Sequence, residues 1–100
     1  MRDWEFTPRA RNDLFEIWNY IAQDNSEAAN RVAQAIIPAC DLVSNSPLAG
    51  RMREDLAPAP LRFWLVQPYV NHCVVYDPES KPLQIIRVIH GARNFPTSLR

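Results

Sequence analysis

Glycine is nearly absent from this 100-residue chain, with Gly50 and Gly91 the only two. Loops that cradle phosphate through closely packed backbone amides need more, so nucleotide-binding loops of that kind are excluded. Cysteine is as sparse. Cys40 and Cys73 lie far apart, in no Cys-x-x-Cys arrangement and with no histidine at zinc-ligand spacing, which argues against a disulfide scaffold or a structural zinc. Each sits in an apolar stretch and reads as a small core filler in a reducing compartment. No apolar run approaches the ~18 residues of a membrane-spanning helix. The first residues, Met1-Arg2-Asp3-Trp4-Glu5, carry no apolar signal segment, so a cytoplasmic protein that keeps clear of membranes is expected. An excess of one charge is missing too. Eleven cationic side chains face eleven carboxylates, which removes the simplest electrostatic case for nucleic-acid binding. Lysine is all but missing: Lys81 is the only one, and the other ten cations are arginine. Arginine favours planar, bidentate or stacked contacts, so part of this set is expected to recognise something.

What is present is a core. Hydrophobic residues make up 47% of the chain, aromatics 10%, enough to bury an interior without staples. Residues 1–100 read as one domain without repeats. Asp3 to Thr7 alternates as a strand, with Trp4 and Phe6 on one face. Thr7-Pro8 supplies an N-cap and a first-turn proline. Ala10, Leu14, Ile17, Trp18 and Ile21 then form an apolar helical stripe, with Arg9, Asp13, Glu16 and Gln23 off it. Ser26 is the expected cap of a second helix carrying Val32, Ala35, Ile36, Ala39, Cys40 and Val43 on one face. The short link makes the pair an antiparallel hairpin. Pro38 predicts a kink or break after Gln34. Residues 48–60 look irregular. Three β-rich runs follow, Leu61–Gln67, Val70–Asp77 and Leu83–His90, with hairpin-sized links. The expected fold is α+β (β-α-α-β-β-β), the hairpin covering one face of a mainly antiparallel sheet. By parity Ile86 and Val88 share one face of the last strand, while Ile85, Arg87 and Ile89 share the other, where Arg62 can join them.

Chemistry-bearing clusters are few. His72 and His90 have no carboxylate on a shared face, so neither a metal nor another cofactor is expected. The serines lie in turns or ends with no oxyanion-type surroundings. Glu54-Asp55, beside Arg51 and Arg53, reads as local charge pairing. The informative segment is Arg87-Val-Ile-His90-Gly91-Ala-Arg93, where two arginines and a histidine leave one strand and turn at a glycine. Two readings stand: a site for an anion or partner, or Arg87 paired with a helix carboxylate while His90 closes the sheet end. Trp64 alternates with Phe63 and Leu65, so one large aromatic is expected to point away from the helices. Phe15 and Ile37, off their helical stripes, are either partner anchors or isolated surface groups.

The chain resembles the RelE/ParE superfamily of toxins from bacterial type II toxin–antitoxin pairs, and its ParE branch most. The resemblance rests on Phe6-Thr7-Pro8-x-Ala10, Asp13-Leu14-x-x-Ile17-Trp18-x-Tyr20-Ile21 and Asn45-x-Pro47-x-x-Gly50-Arg51-x-Arg53-x-Asp55-Leu56. Val75-Tyr76 and Arg87-Val-Ile-His90-Gly91-Ala92-Arg93 complete it. It implies a helical hairpin on an antiparallel sheet, and a cognate antitoxin as partner. For the ParE branch it implies DNA gyrase as a target held by protein–protein binding. For the RelE branch it implies a metal-independent, ribosome-dependent mRNA endonuclease. Arg93 matches a catalytic arginine of those nucleases, and Arg62, Arg87 and His90 would have to complete the set. Their second arginine corresponds to Cys73 here, their lysines to Phe63-Trp64-Leu65-Val66, and their C-terminal tyrosine has no counterpart. Phosphodiester cleavage needs a base, an acid and cations together, so the expectation is a binding toxin rather than an enzyme. The alternatives are the nuclease and a non-toxic partner and co-repressor of its antitoxin. Arg62, Trp64, Arg87, His90, Arg93, Phe15 and Ile37 are the expected binding residues.

Overall fold

In the computed structural model, which describes residues 3–90, Thr7 decides where the first strand ends and the first helix begins. Its hydroxyl accepts from the Ala10 amide and donates to the Ile86 carbonyl, at 3.1 and 3.0 Å. The strand β1 (Trp4–Phe6) thus ends against its neighbour just as α1 (Pro8–Ala22) begins. α2 spans Ser26–Asn45, capped by Asn25, whose side chain accepts from the Ala28 amide. The cap is therefore one residue earlier than the expected Ser26. The expected break at Pro38 does not occur. Pro38 is exposed, and α2 runs through it unbroken because its inner face is held by Val32, Ile36, Ala39, Cys40 and Val43, all buried.

A short strand lies where no regular structure is expected: β2 (Arg51–Met52). It pairs with β3 (Arg62–Leu65), which pairs with β4 (His72–Asp77) and then β5 (Leu83–His90), all antiparallel. β1 joins β5 in parallel, giving the order β1-β5-β4-β3-β2. The α+β expectation holds, with one strand more than the pattern suggested.

The face parity of β5 is broken. Val75 lies opposite Arg87 and Tyr76 opposite Ile85, so Ile86 is a bulge. Ile85 and Val88, rather than Ile86 and Val88, therefore share the helix-facing core with Leu83, Val74 and Tyr76. The opposite face of the sheet is not bare either. Leu56, Ala57 and Leu61 from the β2–β3 connection pack over Phe63, Cys73, Val75 and Ile89 as a second, smaller core. Both cysteines are buried.

Gly50 closes the turn after α2. The Tyr76 hydroxyl, fully buried from the sheet, accepts from the Gly50 amide at 2.8 Å and donates to the Pro47 carbonyl at 2.7 Å. A Cβ at position 50 would lie 2.5 Å from that hydroxyl and 2.9 Å from the Phe63 carbonyl. The position needs a residue without a side chain because two partners crowd it.

Candidate functional site

Arg87 projects from β5 just past the end of β1, where the strand has lost its neighbour. α1 fills that place with Asp13. One carboxylate oxygen accepts from the Arg87 Nε at 2.6 Å and from the Val88 amide at 3.1 Å, the other from the Arg87 Nη2 at 2.9 Å. Arg87 is 8% exposed and Asp13 6%. A bidentate pair of this kind satisfies both partners and an otherwise orphaned strand amide. Arg9, one turn earlier, approaches the same carboxylate at 3.7 Å. The helix-carboxylate reading of Arg87 is the one realised. In the folded chain its guanidinium is buried, and Arg62 does not share its face.

Arg62 and Trp64 face the helices, opposite Tyr76 and Val74. The Arg62 Nη1 donates to the Gly50 carbonyl at 2.7 Å and to the Leu48 carbonyl at 3.4 Å. Its Nε is buried with no hydrogen-bond partner among the described residues. Trp64 is half-buried against the main core and Phe63 is buried on the far face. The aromatic expected to point away from the helices is therefore Phe63, and the loop of residues 53–61 covers it.

His72 and His90 face one another across β4 and β5, their rings 5.0 Å apart and nearly perpendicular. The Nδ1 atoms of both are buried with no hydrogen-bond partner among the described residues. Burial, and then the neighbouring His90, hold His72 below the ordinary histidine value, while the Tyr69 carbonyl pulls the other way. Cys73, next along β4, has its thiol pushed up to about 12 by burial. It stands as a thiol at neutral pH, neither nucleophile nor anion.

Among the helix residues, Phe15 is 67% exposed, whereas Ile37 is half-buried against the main core and offers a partner only an edge. Arg93 lies outside the described residues. Among the described residues, those named from the sequence do not form one cluster: Arg87 is joined to α1, Arg62 to the turn after α2, and the histidines stand at the sheet end. Asp13 is the residue that sequence reasoning missed. Its neighbours Ala10 and Leu14 belong to the apolar stripe, and that flanking was the available signal. No group of three or more metal-ligating side chains occurs among the described residues, and no helix there is long and apolar enough to cross a membrane.

Against known proteins, residues 4–95 match the family described as ParE toxin of type II toxin-antitoxin system, parDE. No curated protein matches the chain. A solved structure titled "Chromosomal ParDE TA system from P. aeruginosa" is similar in fold, with a TM-score of 0.71 at 21% identity. The match covers 90% of this chain and 96% of that one.

Proposed function

The chain belongs to the ParE toxin family of type II toxin–antitoxin systems, and from that premise we propose that it acts by binding DNA gyrase and is silenced by a cognate antitoxin. One observation carries the choice of binding over cleavage. Two of the basic groups that RNA cleavage would draw on, among the described residues, are already committed: Arg87 to Asp13 inside the fold, Arg62 to two carbonyls of the Pro47–Gly50 turn. Cleavage at a ribose 2′-hydroxyl requires a base, an acid and a cation converging on one phosphate. Among the described residues the two histidines meet each other rather than an arginine, and Cys73 stays protonated. A macromolecular target needs only a complementary surface, and the exposed Phe15, Leu48 and Leu65 provide apolar contact area. The antitoxin reading draws on the family and on the ParDE neighbour. The test is induction of the chain in a bacterial host, with plasmid supercoiling and mRNA integrity followed together. Growth arrest with altered supercoiling and intact mRNA, reversed by co-expressing the protein encoded beside it, is the expected result. Cleaved mRNA with normal supercoiling would assign the chain to the nuclease branch instead.

A further inference from the structure

The outer edge of β3 is incompletely covered. The Val66 amide donates to the His72 carbonyl at 2.9 Å, in register with the β3–β4 ladder. Because main-chain groups alternate in direction along an antiparallel strand, those of Phe63 and Leu65 face the other edge. β2 lies against Phe63 through Arg51, but the chain then turns away at Gly50 to meet Tyr76. The Leu65 amide and carbonyl consequently point outward with no strand beside them among the described residues, and its side chain is 49% exposed. A short β2 leaves the kind of edge that natural sheets otherwise pair or blunt.

Along this edge lie two adjoining hollows of about 370 and 110 Å³ that share Trp64 and Gln67. The first is walled by Ala49 and Arg51, the second by Pro38, Ala39 and Leu42 of α2. Pro38 has no amide, so the Gln34 carbonyl one turn before it lacks its helical donor. Arg51 is the charged residue lining these hollows. It is exposed, with no carboxylate at ion-pair distance among the described residues.

We propose that this edge takes an extended segment of the partner protein, added as a strand beside Leu65, with a bulky apolar side chain between Trp64 and Leu42 and a carboxylate on Arg51. The inference rests on the reading of an antitoxin partner and gives that partner a place and a chemistry. Strand addition supplies what the Leu65 amide and carbonyl lack, which a helix laid in the groove would not. A second copy of the chain fits less well. Its own β2 would obstruct pairing beyond Leu65, and two Arg51 side chains would be brought together.

A capped peptide of about eight residues, alternating leucine with threonine and ending in two glutamates, is the probe, titrated into the intact chain. Saturable binding is expected, with slowed exchange of the Leu65 amide and a shifted Trp64 indole resonance. Methylating alternate peptide amides should weaken binding about tenfold, since two or so backbone hydrogen bonds are lost with the side chains kept. Arg51→Glu should weaken it about fivefold, and Arg31→Glu, on the exposed surface of α2, should not. No saturation at millimolar peptide, equal binding of the methylated peptide, or protection elsewhere would overturn the proposal. So would a self-associated dimer that protects Leu65 without peptide. The same amide is then followed in a complex with the protein encoded beside this one. A complex that leaves Leu65 exposed sinks this placement and spares the antitoxin reading. Failure to form any complex sinks that reading, and the peptide result alone then decides the groove.

Discussion

Asp13 joins helix to sheet with a single side chain. Removing a partner from a buried, hydrogen-bonded ion pair leaves an uncompensated charge, so Asp13→Ala should cost about 3–5 kcal/mol in urea unfolding. The double variant Asp13→Leu with Arg87→Met should recover much of that loss, because two apolar groups of similar volume need no desolvation. A helix carboxylate for Arg87 was one of two readings the sequence offered, but it did not single out Asp13. The two residues lie at opposite ends of the chain, and Asp13 reads as a solvated residue beside an apolar stripe. His72 adds a pH dependence. Its folded-state value lies below the ordinary 6.5, so the unfolded chain binds the proton more readily. The stability it contributes is complete above about 6.5 and is lost as the pH falls through and below that value. Melting temperatures measured down to pH 5 should fall, and His72→Phe should flatten that slope.

Among the elements, both helices and the three long strands were legible because periodicity and caps agree with the packing that follows. Two features escaped for physical reasons. A two-residue strand carries no periodic signal, and the bulge at Ile86 reverses face parity without any glycine to announce it. Arg62 was consequently assigned to the wrong side of the sheet. Pro38 shows the converse, a strong local signal overridden by the buried residues along the inner face of the same helix. Since α2 is helical on both sides of it, Pro38→Ala restores an amide without new strain and should raise stability, by up to about 3 kcal/mol, read as a higher melting temperature. The turn between α2 and β2 should respond in the opposite sense. Tyr76→Phe strands the buried Gly50 amide and the Pro47 carbonyl and should cost about 1–3 kcal/mol.

For the molecule as a whole, the helices and the loop of residues 53–61 enclose the sheet from both sides, so little of it remains for a broad recognition face. What the sequence left illegible at this scale is the loop. Its charged residues, Arg53 and Asp55 paired at 2.7 Å among them, mask the few apolar ones that it buries. The smaller core beneath holds five buried residues among those described, against a much larger interior under the helices, and fewer packed contacts mean a lower free energy of local opening. Cys73 lies in that smaller core, which makes its sulfur a built-in clock. Alkylating reagents should find it only in the moments when the loop swings clear, and the labelling rate would then time that excursion independently of whether the helices ever leave the sheet.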